Sequence, residues 1–196
     1  MARSPRSSRP RSASGTSSKR ASSPYGQSRY SSYSLSSRRR LVAVCGESDP
    51  RTSLAGLAFE LGRGIAERDA VLICGGLTGV MEHAARGARS GGGLTIGLLP
   101  GDDPNDANEY IDIAIATNLG HGRNAVLAKT ADGVVALGGG LGTLSEIALA
   151  LRNGRPTIGI RTWRFDRDGR TEPELPLAAS PNEALDWLFA RMARAP

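Results

Sequence analysis

The chain has 196 residues and a formal charge of +6, with 39% hydrophobic and 5% aromatic residues. That length suits one ordinary domain with a core of its own. No apolar run approaches the roughly 18 residues of a membrane span, and two cysteines make neither a disulfide framework nor a zinc site.

The charge is unevenly placed. Residues 1–40 hold nine Arg and Lys19 without an acid, for +10, which leaves −4 on the remainder. This segment is Ser, Arg and Pro with almost no aliphatic side chains, too little apolar surface to offset the entropy of ordering. Residues 1–39 are therefore read as a disordered tail and residues 40–196 as the folded domain. The tail lacks the apolar core of a secretory signal, but it has the acid-free, Ser/Arg-rich composition of an organelle transit peptide. A solvated extension is the first reading; a transit peptide and a nucleic-acid-binding arm are the others. The expected compartment is the cytoplasm, or an organelle if the tail is a targeting segment.

Strand and helix signals then alternate. Leu41–Cys45 is a buried strand, and residues 52–68 carry Leu54, Leu57, Ala58, Leu61 and Ile65 at helical spacing. Val71–Cys74 is the second strand, followed by the loop Gly75-Gly76-Leu77-Thr78-Gly79 and a helix to about Arg89 that starts at Thr78 or Gly79. Residues 94–99 form the third strand, stopped by Pro100-Gly101. The acidic segment 102–109 has turn chemistry throughout, which outweighs a metal-binding reading. Tyr110–Ala116 reads as a strand, 121–131 as a helix, 133–137 as the fifth strand, about 143–152 as a helix and 156–160 as the sixth strand. No regular structure is assigned to 161–179. Ser180-Pro181-Asn182-Glu183 is a capping box with proline at the first helical position. Continuous apolar strands between amphipathic helices predict an α/β, Rossmann-like, doubly wound parallel sheet.

Two glycine loops, 75–79 and 138–142, end strands and therefore lie on the edge where such sheets bind ligands. The second, Gly138-Gly139-Gly140-Leu141-Gly142-Thr143, opens a helix whose unpaired N–H groups face a ligand, an arrangement that binds phosphate. No Gly-Lys-Ser/Thr follows, so a Walker cradle is absent. The first strand–helix turn has one glycine, Gly46, and not the G-x-G-x-x-G of dinucleotide sites. A single phosphate group is the expected ligand feature. Cys45 and Cys74 each precede a glycine at a strand end and are read as small buried residues. Thr143-Leu144-Ser145-Glu146 is itself a capping box, so Glu146 is expected to bond back to the helix start. His121 and His83 are the only histidines, and a lone loop histidine such as His121 is ordinarily solvated.

Gly139-Gly140-Leu141-Gly142-Thr143-Leu144-Ser145-Glu146 resembles the GGxGTxxE signature of the Lonely Guy (LOG) family. Arg123 stands where that family has an arginine, and Gly75-Gly76-Leu77-Thr78-Gly79-Val80-Met81 resembles its other glycine loop. The likeness covers about residues 41–160. It implies a Rossmann-like homodimer or homotetramer, and hydrolysis of nucleoside 5′-monophosphates at the N-glycosidic bond with the matching Arg123 and Glu146 as catalytic residues. Three positions depart from the hydrolases: Gly138 for proline, Ser145 for a second glutamate and Asn124 for lysine. With 78–82 and 107–114 they bring the chain closer to the molybdenum cofactor carrier branch, which binds a pterin bearing a phosphate monoester. The ligand-binding residues implied are Gly46, Gly75, Gly76, Thr78, Gly79, Arg123, Asn124, Gly138, Gly139, Gly140, Gly142, Thr143 and Glu146. No cofactor is required for this function; molybdopterin enters as a bound ligand, and a purine nucleotide is the alternative. No metal, membrane or nucleic-acid partner is expected.

The chemistry fits those residue types. Cleaving an N-glycosidic bond builds positive charge on the sugar, which a carboxylate such as Glu146 stabilises while orienting water. The planar fork of Arg123 suits phosphate or ribose oxygens.

Overall fold

Six short apolar strands pair in parallel: β1 (Leu41–Gly46), β2 (Val71–Cys74), β3 (Thr95–Leu99), β4 (Ile113–Ala116), β5 (Gly133–Leu137) and β6 (Thr157–Ile160). The structure, a computed structural model, describes residues 38–49, 51–166, 168–170 and 175–192. The Ser/Arg-rich tail predicted for residues 1–39 falls almost entirely outside them. The strand order is β4-β3-β2-β1-β5-β6.

Five helices cover the sheet: α1 (Ala55–Glu67), α2 (Val80–Ser90), α3 (Arg123–Thr130), α4 (Leu141–Arg152) and α5 (Pro181–Met192). Alternation along each strand sends Val42, Val44, Val135 and Leu137 to the face of α1, α2 and α5, and Ala43, Cys45 and Val134 to the face of α3 and α4. The molecule is thus the α/β doubly wound sheet that the continuous apolar strands predict. Each fully buried Leu or Ile in these layers contributes about 1.5–3 kcal/mol. α1 and α2 cross closely because Gly62 and Gly87 have no side chain there; a Cβ on Gly62 would strike the Ala84 carbonyl and one on Gly87 that of Phe59. No helix among the described residues is long and apolar enough to cross a membrane.

Several boundaries differ from the sequence reading; the first helix, expected over 52–68, runs Ala55–Glu67. The fourth strand begins at Ile113 and not at Tyr110, because Asn108 and Asp112 bend the chain first. The Tyr110 amide donates to Asn108 Oδ1 at 3.1 Å, and the Asp112 carboxylate accepts from Thr95 N and Oγ1 at 2.9 and 3.0 Å. The helix expected from 121 is a 3-10 turn, Gly120–Gly122, before α3. The helix expected from about 143 begins at Leu141, with Gly140 as its N-cap. At α5 the expected capping box is present in altered form: Ser180 Oγ accepts from Glu183 N at 3.3 Å, while Glu183 reaches back to the Ala179 amide at 2.8 Å.

The edge strand β4 is only partly covered. Ile113 and Ile115 share one face and are each 44% exposed; their partners across the ladder are Ile96 and Leu98. The acidic segment 102–109 makes its own turn, with Asp103 Oδ1 accepting from the Asn105 amide at 2.8 Å.

Candidate functional site

The strand order turns at β1, with β2 on one side and β5 on the other, and ligands in such sheets sit at the carboxyl ends of the strands at that point. Gly46 and Leu137, the last residues of β1 and β5, are in register there. A cleft of about 160 Å³ opens beside them. Its walls are the exits of β1 (Gly46, Ser48), β2 (Leu77) and β3 (Pro100), the turn at Gly120 and His121, and the N-terminal turns of α2 (Met81), α3 and α4.

The glycine loop enters α4 through Gly138 at φ +60° and Gly139 at φ +106°, conformations that an L side chain rarely adopts. A proline at 138 would have neither that φ nor the N–H that Gly138 donates to Ile160 O at 3.1 Å. Among the described residues, the amides of Gly139, Gly140, Leu141, Gly142 and Thr143 donate no hydrogen bond. The Thr143–Glu146 capping box is overturned. Because α4 starts at Leu141, Thr143 is its third residue and Glu146 its sixth, and no side chain caps this helix. Glu146 instead turns inward.

There it meets Arg123, which donates from Nη1 to Glu146 Oε1 at 3.3 Å. Arg123 is 8% and Glu146 6% exposed, so the arginine is no surface charge at a helix start. Burial raises the Glu146 carboxyl above its ordinary value, and the Arg123 charge opposes this. Beneath the pair the Cys45 thiol is pushed well up by burial and then by the Glu146 charge; Cys74 is lifted to about 11 by burial. Both thiols are buried packing residues, and a thiol kept protonated is a poor nucleophile. Positions 124 and 145, both departures from the hydrolases, touch: Asn124 Nδ2 donates to Ser145 Oγ at 2.7 Å.

Of the predicted residues, Gly46, Arg123, Asn124, Gly142, Thr143 and Glu146 line the cleft. The others are not part of its lining. Gly75 lies against the Arg123 guanidinium and Gly79 against the Glu47 carbonyl. Thr78 Oγ1 donates to Ser48 O at 2.6 Å, and Gly76 O accepts from the Asn108 amide at 2.9 Å. Gly138 faces Leu54 and Gly139 faces Thr143, while Gly140 is exposed. Sequence reasoning missed Ser48, Leu77, Met81, Pro100 and Gly120, which the rule of carboxyl strand ends would have found. It also missed Thr162 and Trp163, which follow β6 and bond to the glycine loop. His121 lines the cleft and is exposed.

A larger cavity, about 480 Å³, lies at the opposite rim between Arg155, Trp187 and Arg191. Helices α4 and α5 end there, and cations at helix C-termini answer the negative end of the dipole. The loop amides and the buried Arg123–Glu146 pair are not at that rim, so the smaller cleft is the candidate site.

A parallel sheet with a glycine-rich helix entry at its switch point defines a Rossmann-like domain. A family model described as the SLOG cluster4 family matches residues 39–185. The chain belongs to that family, within the Lonely Guy superfamily and on its molybdenum cofactor carrier-like side. The molybdenum cofactor binding protein of Rippkaea orientalis superposes with a TM-score of 0.72 at 36% identity, over 80% of this chain and 99% of that one. The Moco carrier protein of Chlamydomonas reinhardtii gives 0.70 at 32%, over 81% and 100%. An uncharacterized protein of Archaeoglobus fulgidus is 44% identical over 120 residues, 61% of this chain and 78% of that protein. The probable cytokinin riboside 5′-monophosphate phosphoribohydrolase LOGL9 of Oryza sativa subsp. japonica is 35% identical over 113 residues, covering 56% of this chain. The match spans only 50% of that rice protein's length.

Proposed function

We propose that the cleft binds a compact phosphomonoester, and that the protein is a carrier whose cargo is the molybdenum cofactor, a pterin with a phosphate monoester. One observation carries the reading: five successive amides at a helix start have no acceptor among the described residues, and a phosphate supplies several. Two glycines of the loop support it. Gly140 has an ordinary φ of −97°, and a Cβ on Gly140 or Gly142 would meet nothing within 4 Å. Glycine in a helix costs about 0.5–1 kcal/mol relative to alanine, and the protein gains no packing from it at 142. Space for an incoming anion accounts for both residues. Arg123 adds a charged donor beside the loop. The cleft holds the phosphate end of such a ligand, and its ring extends toward the mouth. The solved structures named for molybdenum cofactor binding and carriage point to the pterin.

The deciding experiment is mass spectrometry of whatever co-purifies with the protein, followed by calorimetric titration with inorganic phosphate and AMP. A pterin monophosphate in the purified protein, with phosphate competing for its site, is the expected result. Failure of phosphate, AMP and the pterin to bind would end the reading.

A second reading rests on the Arg123–Glu146 pair. A buried carboxylate with a raised pKa beside an arginine is equipped to orient water at a sugar carbon, and the rice relative is named as a phosphoribohydrolase. In that reading AMP yields adenine and ribose 5-phosphate. The exposed Ile113 and Ile115, with Leu119 and Val126 in the segments that follow, are assigned to contacts with a second copy in a homodimer or homotetramer. Light scattering on wild type and Ile115→Asp tests that assignment, with a smaller species expected for the variant.

A further inference from the structure

The segment that leaves β6 passes over the glycine loop and bonds to it twice. Thr162 Oγ1 donates to Gly138 O at 2.5 Å, and Trp163 Nε1 donates to Gly140 O at 3.3 Å. We propose that Thr162 and Trp163 are positioning residues that hold the loop with its amides, and not its carbonyls, toward the bound anion. The proposal rests on the phosphate-loop reading above and deepens it.

The reason is peptide geometry. In a planar trans peptide the C=O and the following N–H point in opposite directions. Fixing Gly138 O on Thr162 therefore turns the Gly139 N–H to the other side, and fixing Gly140 O on Trp163 does the same for the Leu141 N–H. Either carbonyl swung toward the phosphate would set a negative partial charge against it. Gly138 needs this help most, because glycine at φ +60° is free to rotate and Thr162 is the one donor to its carbonyl among the described residues. Gly140 O has a second donor, the Leu144 amide at 3.0 Å.

Both side chains are themselves held. The Thr162 methyl sits where a Cβ on Gly159 would be, so glycine at 159 lets it approach. The Trp163 ring packs with Ala136, Ile147 and Leu175. Each donor is thus fixed by apolar packing and aims its polar group at the loop. A rigid donor restrains the loop before the ligand arrives, which lowers the entropy lost on binding.

The test is calorimetric titration of the full chain with inorganic phosphate and with AMP. Thr162→Val keeps shape and removes the hydroxyl, Thr162→Ser restores the hydroxyl, and Trp163→Phe keeps a packed ring without its N–H. Thr162→Val and Trp163→Phe are each expected to weaken binding about 3–10-fold, and Thr162→Ser to bind like wild type. A spectroscopic arm follows the two tryptophan indole N–H resonances. The one absent in Trp163→Phe should shift when phosphate is added, and that of Trp187 should not. Unchanged affinity in both Thr162→Val and Trp163→Phe, while Gly140→Asp abolishes binding, overturns the clamp and leaves the phosphate loop standing. Loss in Thr162→Val that Thr162→Ser fails to restore assigns the effect to packing and also overturns it. A wild type that binds neither probe removes the loop reading and the clamp together.

Discussion

The guanidinium of Arg123 occupies the space in which Gly75 would carry a side chain. A Cβ on Gly75 would fall 2.6 Å from Arg123 Nη1 and from Met81 Sδ, and nearer still to Nη2. The glycine after β2 is therefore a seat for the arginine that faces Glu146.

Gly75→Ala should displace Arg123 while the protein stays folded, because the atoms it meets are ends of flexible side chains and Gly75 is not among the positive-φ glycines. A charge-assisted hydrogen bond is worth about 1.5–3 kcal/mol, so phosphate affinity should fall by about 10–100-fold. Calorimetry, beside a melting curve shifted by only a few degrees, checks this. Wild-type affinity in the folded variant would detach Arg123 from the ligand.

Gly142→Ala and Gly140→Asp separate the loop's role in binding from its role in folding. Among the described residues, neither site has atoms within 4 Å of a new Cβ beyond its chain neighbours and its own helix backbone. Gly142→Ala should leave melting unchanged or raise it, since alanine is the better helix residue, and should weaken phosphate by about tenfold if the anion approaches the backbone there. Gly140→Asp places a like charge among the amides and should abolish binding. Stability and affinity then move in opposite directions. A variant that loses both together would show that the glycines serve the fold.

The central strands were legible because they are buried on both faces. Val71–Cys74 and Gly133–Leu137 read as unbroken apolar runs and were placed without error. The start of α4 was not legible. Gly140 caps it without a side chain, while Thr143 and Glu146 imitate a capping box in which neither takes part. The glycine loops announced the crevice through backbone chemistry, which is local. What reached the crevice through the fold stayed hidden: Thr162 and Trp163 come from beyond β6, and Asn124 meets Ser145 across 21 positions. Side chains that meet because two helices lie side by side leave no spacing to read.

Glu146 carries a pH dependence with a definite sign. Burial is the largest influence on its carboxyl and lifts it above the ordinary 4.5, against the pull of Arg123. The native state then holds that proton more tightly than the unfolded chain, so this group's contribution to stability falls as pH rises from about 4.5 through the native pKa. Glu146→Gln removes the titration. The melting temperature of wild type minus that of Glu146→Gln should therefore decline between pH 4 and pH 7. A difference that grows over that interval would mean that Arg123 outweighs burial.

Turnover separates carrier from hydrolase. A carrier should release no adenine from AMP and no free base from other nucleoside monophosphates, however long it is incubated. If hydrolysis occurs, Glu146 is the group to account for it, because it is the carboxylate that meets Arg123 inside the cleft. Glu146→Gln keeps the volume and a hydrogen-bonding oxygen near Arg123 but cannot take a proton from water or balance charge on the sugar. AMP affinity should persist, and the rate should fall by about 10²–10⁴-fold, the range for a positioned acid or base. Chromatographic detection of adenine and ribose 5-phosphate, with binding measured on the same preparations, reads both quantities. Hydrolysis that survives the substitution would remove Glu146 from the chemistry and leave it as the buried counter-charge that holds Arg123 in place.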